Sequence, residues 1–189
     1  MAGFGHNNGP TMEKGGAWRR YAWKKARAEL LPKMPIEVVR RRVRRARELG
    51  IDYKSYAGIR ASTGRDIIAL LFSSNALRLM RDAGISPDRL VHLESVRSAE
   101  LLAFVHPPYS PERVAVRNEL LTRAGRAPSI ADTWGDTRAK VLALKGALPA
   151  DGVVVIGETA LEQGWSDAGR LAGYLPADRY FGISVSKPR

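Results

Sequence analysis

Three features of the sequence predict a mixed α+β or α/β protein, with an N-terminal basic helical module followed by a small α/β domain. Apolar residues recur at helical spacing from Ala17 onward. An unbroken β-branched run, Val153–Ile156, sits between two helical stretches, as a buried strand does. Charge is divided unevenly as well. Residues 1–64 carry 15 Lys/Arg against 5 Asp/Glu, a balance of +10, and residues 65–189 carry 16 against 14, a balance of +2.

The elements follow in order. Met1–Gly16 is rich in Gly and Asn and reads as a flexible arm. From Ala17 to Leu31, Trp18, Ala22, Ala26 and Leu30 mark one helical face, while Arg19, Arg20, Lys24, Lys25 and Arg27 fill the others. Pro32 and Pro35 stop that helix and start the next. The second helix is expected over Ile36–Leu49 and ends at Gly50, a residue suited to a helix C-terminus. Ile36, Val39, Val43, Ala46 and Leu49 lie on one side of it, and Arg41 and Arg44 point away. Arg40, Arg45 and Arg47 flank that side, with Arg42 at its edge.

A short third helix is expected over Tyr53–Arg60, before the Ser62-Thr63-Gly64 break. Arg65–Ala83, with Ile67, Ile68, Leu70, Leu71, Leu77, Leu79 and Met80, reads as a central helix, apolar around much of its circumference. The organisational boundary is placed at residues 84–90. This gives an arm at 1–16, a basic helical module at 17–84 and an α/β domain at 88–189.

In that second domain Leu101–His106 fits a strand, although Arg97–Phe104 also fits a helix. Pro111–Ala124 is predicted helical with Ser110 as N-cap, Thr137–Leu148 helical, and Val153–Ile156 a strand. Leu161–Leu175 is predicted helical and Tyr180–Val185 a final strand. Leu148-Pro149-Ala150-Asp151 and Leu175-Pro176-Ala177-Asp178 are each placed before a strand. Their 27-residue separation suits a strand–helix–strand crossover.

Composition narrows the chemistry. With no cysteine, disulfides, thiolate zinc sites and cysteine nucleophiles are excluded. His6, His92 and His106 are not spaced as a metal pair, so neither a metal nor a cofactor is expected. No apolar run approaches the roughly 20 residues that span a bilayer. The N-terminus lacks the apolar stretch of a signal peptide, so a cytoplasmic protein without a membrane partner is expected. A charge imbalance confined to the first third is the footprint expected of phosphate binding, with a solvated surface or an anionic membrane as the competing readings.

Ala46, Leu49, Gly50, Ile51, Tyr56 and Ile59 carry a local resemblance to the helix-turn-helix superfamily of DNA-binding proteins. A small residue precedes the turn glycine by four, apolar residues bracket the turn, and Tyr56 and Ile59 fall where a second helix packs inward. The resemblance covers about 20 residues, and it implies that the second helix enters the major groove while the first crosses the backbone. Arg45 departs from it, standing where an apolar residue is usual. Gly58 departs too, weakening a recognition helix by roughly 1 kcal/mol relative to alanine. On this resemblance Tyr53, Lys54, Ser55 and Arg60 are the candidates to contact bases, with Tyr56 expected to pack the hairpin. Arg40, Arg41, Arg44, Arg45 and Arg47 are the candidates for phosphate. Lys24 and Lys25 interleave with Trp18, Tyr21 and Trp23 as in surfaces that stack unpaired bases.

Signals for an enzyme are weaker. Gly157-Glu158-Thr159 leads from a strand into a helix, where anions often bind, but no glycine-rich fingerprint is present and Glu158 repels phosphate. Asp132, Asp136 and Lys140 form a trio that random acidic spacing easily produces, and His106 reads as a loop histidine. The leading expectation is a nucleic-acid-binding regulator or accessory factor, with DNA favoured over RNA. Its C-terminal half would serve a homo-oligomer, a protein partner or a ligand. The alternatives are a nucleic-acid-processing enzyme with its active site in that half, and a structural protein of a nucleoprotein assembly.

Overall fold

The computed structural model describes residues 34–182 and has a mixed α/β architecture. Lys24, Lys25, the Met1–Gly16 arm and the Ala17–Leu31 helix lie outside the described residues. From Arg40 to Gly182 the chain is one compact unit.

Two helices lead into the sheet. Helix α1 (Ile36–Glu48) is followed by α2 (Tyr53–Thr63). The intervening turn closes as a Schellman motif, in which the Ile51 amide donates to the Ala46 carbonyl at 2.9 Å and the Gly50 amide to that of Arg47 at 3.1 Å. Gly50 holds φ +67°, a conformation that costs an L side chain about 1–2 kcal/mol.

Five parallel strands follow: β1 (Ala69–Ser73), β2 (Glu100–Val105), β3 (Arg123–Arg126), β4 (Val153–Gly157) and β5 (Gly173–Pro176). They stand in the order β3-β2-β1-β4-β5. Crossovers carry α3 (Pro87–Glu94), α4 (Pro111–Arg117), α5 (Trp134–Lys145) and α6 (Ala160–Gly169), and α7 (Ala177–Phe181) follows β5. Side chains alternate across the sheet. Leu70, Phe72, Leu101, Ala103, Val154 and Ile156 face Leu49, Tyr56, Leu93, Val114 and Tyr180. Leu71, Leu102, Phe104, Val153 and Val155 face Val141, Leu144 and Trp165. Helices α3 and α4 therefore cover one face with the α1–α2 hairpin, and α5 and α6 cover the other. The winding direction reverses between β1 and β4, which makes this an open, doubly wound sheet. At Gly169 the second layer closes tightly, since a Cβ there would meet Val141 Cγ1 at 2.5 Å.

The hairpin is latched to its face of the sheet. Tyr180 donates its hydroxyl to the Leu49 carbonyl at 3.1 Å, and His92 Nε2 lies 3.2 Å from the Gly50 carbonyl. Because that carbonyl can only accept, Nε2 carries the proton. Burial pushes the His92 pKa down, against the raising effect of the Gly50 hydrogen bond.

Several expectations are corrected. Arg65–Ala83 is not a helix: it contains β1, the middle strand, followed by turns. Apolar residues on both faces fit a buried helix and a central parallel strand equally well, and periodicity alone does not separate them. With β1 between β2 and β4, and one core joining Ala46 to Tyr180, the boundary drawn at 84–90 falls inside a single unit. Ser110 caps α4 as expected, accepting from the Arg113 amide at 3.2 Å, but the helix stops at Arg117 and Arg123–Arg126 is strand. The helix expected over Thr137–Leu148 starts earlier, at Trp134, behind a Thr133/Asp136 capping box. Leu161–Leu175 divides into α6 and β5. The expected last strand begins as α7, so Leu175–Asp178 ends β5 and opens a helix rather than preceding a strand.

Candidate functional site

Thirteen residues of α1 include six arginines, and their employment differs sharply. Arg40, Arg41, Arg44 and Arg47 are exposed. Arg41, Arg44 and Arg47 make no side-chain hydrogen bond or ion pair among the described residues. Arg45 is the opposite case. Its Nε donates to Asp66 Oδ2 at 3.0 Å, and Nη1 to Glu48 Oε2 and the Arg97 carbonyl. Its Nη2 donates to the carbonyls of Ile67 and Ser98, both at 2.9 Å. A guanidinium has five N–H groups, and all five are engaged. Arg45 has none left for phosphate, which corrects its assignment. It staples α1 to the approach to β1 and to the loop before β2, and this explains why an arginine stands where the helix-turn-helix pattern has an apolar residue.

Helix α2 is similarly divided. Asp52 is its N-cap and accepts from the Ser55 amide at 2.9 Å. The Ser55 hydroxyl donates to the same carboxylate, and Arg179 Nε pairs with it at 3.3 Å. Burial alone would raise the Asp52 pKa, but these donors hold it below the ordinary carboxylate range. Arg60 is drawn to Asp66 at 3.6 Å, and Tyr56 is buried and donates to Asp66 at 2.8 Å. Ser55 thus commits its hydroxyl proton within the fold, which corrects its place among base-contact candidates, whereas Arg60 is held only by an ion pair at 3.6 Å, beyond hydrogen-bond distance. Tyr53 and Lys54 remain exposed.

A second polar cluster lies at the carboxyl edge of the sheet. Ser74 and Asn75 follow β1, His106 follows β2, and Glu158 and Thr159 follow β4. These side chains, with Arg78, border a cavity of about 360 Å3 at the point where the winding reverses. Beneath it Glu162, on the first turn of α6, is fully buried. Its Oε2 accepts the amides of Glu158 at 2.6 Å and Thr159 at 3.1 Å, and Oε1 accepts from Asn75 Nδ2 at 2.8 Å. His106 Nε2 lies 3.2 Å from the same Oε1. Burial would raise the Glu162 pKa, yet hydrogen bonds from His106, the two amides and Ser73 hold it low. An ionised carboxylate only accepts, so His106 carries its proton on Nε2 and leaves Nδ1 as an acceptor when neutral. Glu162 also occupies, with its own carboxylate, the N-terminus of α6, the kind of position at which anions bind.

Sequence reasoning took His106 for a loop residue and passed over Asn75, Arg78 and Glu162. One signal was present, because Thr159-x-x-Glu162 is a capping-box spacing. The Asp132, Asp136 and Lys140 trio is structural: Asp132 pairs with Lys140, and Asp136 caps α5. Among the described residues no cluster of His, Asp and Glu is arranged to hold a metal ion, and no helix is long and apolar enough to cross a membrane.

The fold defines a doubly wound α/β protein with a helical hairpin on one face. Comparison with known protein families, with curated proteins and with solved structures finds no match for the chain.

Proposed function

We propose that the protein binds nucleic acid through the outward face of α1, with duplex DNA favoured over RNA. The observation that carries this reading is the row Arg41, Arg44 and Arg47, exposed and without a partner among the described residues. Like charges three residues apart cost a helix about 0.2–0.5 kcal/mol per pair, a cost that a polyanion laid along the row relieves. Guanidinium forks suit phosphate oxygens particularly well. With the Ser55 hydroxyl committed to Asp52 and that carboxylate standing at the start of α2, backbone gripping is favoured over sequence reading. Of the two roles, a DNA-associated accessory factor is therefore favoured over a regulator.

The test is a titration with duplex DNA at several salt concentrations. Affinity is expected to fall with a slope of about −0.9 per phosphate contacted, and Arg41→Ala with Arg44→Ala to shallow that slope by about two. No binding at low salt, or a salt-independent affinity, would remove the proposal. Lys54→Ala is expected to leave the ratio of specific to nonspecific affinity unchanged; a fall in that ratio would restore the regulator.

A further inference from the structure

The carboxyl-edge cleft is separate from the arginine row of α1, and one buried carboxylate holds its walls in place. A capping box needs only the Thr159 amide, which Glu162 accepts at 3.1 Å. Its Oε1 goes further, meeting Asn75 Nδ2 from the turn after β1 at 2.8 Å and His106 Nε2 from the end of β2 at 3.2 Å. The loops after β1, β2 and β4 are thus tied to one fully buried charge. Taking a carboxylate out of water is costly, and what this one secures is the relative placement of the side chains around the cleft. Two of those side chains carry opposite charges that do not meet. Arg78, on the turn after β1, and Glu158, on the loop after β4, both border the cleft and are exposed. Neither side chain makes a hydrogen bond or ion pair, with the other or with any group among the described residues. The backbone at each is fixed, since the Arg78 amide donates to the Asn75 carbonyl at 2.9 Å and the Glu158 amide to Glu162 at 2.6 Å.

The two rim charges balance, and Glu162 beneath them adds a negative charge already met by donors. A net anion would therefore enter against the field. A ligand that carries both signs, with its cation toward the loop after β4, would not. The rest of the lining supplies an acceptor and an apolar wall. His106 directs its Nε2 proton to Glu162 and leaves Nδ1 to accept when neutral. Leu79, Pro107 and Tyr109 line the cleft as well, and the Tyr109 hydroxyl is committed to the Leu79 carbonyl at 3.2 Å. A volume of about 360 Å3 falls within the roughly 300–1,000 Å3 of small-ligand sites, at the position where doubly wound sheets place them. We propose that this cleft binds a free α-amino acid with an apolar side chain. Its carboxylate meets the planar fork of Arg78, a geometry suited to bidentate pairing. Its ammonium, a donor only, meets Glu158 and His106 Nδ1. Its side chain lies against Leu79, Pro107 and Tyr109.

Calorimetric titration with L-phenylalanine, phenethylamine, hydrocinnamate and glycine tests the site. Phenethylamine keeps the ammonium without the carboxylate, hydrocinnamate the carboxylate without the ammonium, and glycine both charges without the side chain. L-phenylalanine is expected to bind saturably, and each of the other three roughly tenfold or more weakly. Arg78→Gln should bring phenylalanine down to the affinity of phenethylamine, whose own binding does not change. Glu158→Gln should bring it down to the affinity of hydrocinnamate, whose own binding does not weaken. Thermal midpoints of both variants should match the parent, because neither side chain is paired within the fold. NMR of the imidazole protons provides a second readout, because the chain has only three histidines. The His106 resonances should shift with phenylalanine, and those of His92, buried under the hairpin, should not. Arg41→Ala with Arg44→Ala should leave the titration unaltered, so failure here and failure of the DNA proposal are separable. No binding of phenylalanine, equal binding of any of the other three compounds, or unchanged affinity for phenylalanine in either variant would overturn the inference.

Discussion

The outer face of α1 and its inner edge are built from the same residue type and put it to opposite uses. Arg44 and Arg45 are neighbours in sequence, yet Arg44 is exposed without a partner among the described residues, and every N–H of Arg45 is engaged. Composition therefore does not measure a binding surface. What measures it is the number of guanidiniums left over once the fold has taken its share, and among the described residues Arg41, Arg44 and Arg47 are left over, exposed, on α1.

The sharpest way to break this comparison is to remove one arginine of each kind. Arg45→Ala is expected to destabilise the protein by about 3 kcal/mol. Hydrogen bonds to a charged group contribute about 1.5–3 kcal/mol each, discounted here because Asp66 and Glu48 are partly exposed. Arg44→Ala should stay within about 0.5 kcal/mol of the parent, as surface changes do. Urea denaturation measures both, and equal effects would erase the distinction. Arg45→Lys should not restore stability, because an ammonium has three donors rather than a five-donor fork.

A smaller effect is expected at the turn joining the two helices. Gly50→Ala places a Cβ 2.5 Å from His92 Nε2 in a backbone at φ +67°. The expected loss is about 2 kcal/mol, with backbone strain contributing about 1–2 and the rest coming from displacement of His92. If the His92 resonances and the denaturation midpoint are both unmoved, the latch does not hold the hairpin.

The smallest effect is that of pH. His92 is held neutral in the folded protein, its pKa below the usual 6.5. The unfolded chain therefore takes up a proton first, and stability falls as pH drops below about 6.5 until the folded-state pKa is passed. Denaturation midpoints measured across this range should decline in the parent and decline less in His92→Gln. A parallel decline in both would assign the effect to other groups.

The hairpin was legible because its signals are local. Gly50 after an apolar helix edge, Ala46 four residues earlier, and Leu49 and Ile51 bracketing the turn each act within one turn of chain. Val153–Ile156 was legible because an unbroken β-branched run of that length suits a buried strand. Strand β1 was not, since Leu70, Leu71 and Phe72 are apolar on both sides and their state depends on strands about thirty and eighty residues away, in the pairings Leu71↔Leu102 and Leu71↔Val155. Strand β3, Arg-Ala-Gly-Arg, is a half-exposed edge with almost no apolar signature. The candidate sites divide in the same way. The arginine row could be read from helical spacing, but the capture of Arg45 by Asp66, Arg97 and Ser98 could not. The carboxyl-edge cluster brings together residues 75, 78, 106, 158 and 162, whose meeting depends on strand order.

The latch between Tyr180 and Leu49 joins residues 131 positions apart. Closing a contact of that span is entropically expensive until the intervening sheet exists, so the hairpin helices can form early but dock late. On a ribosome the seat for α1 and α2 is among the last parts of the fold to be made. Until Tyr180 emerges, Leu49, Ile51 and Tyr56 are left without their final cover, while the arginine row is already presented. During synthesis, the arginine-bearing surface of this chain precedes the core that will hold it.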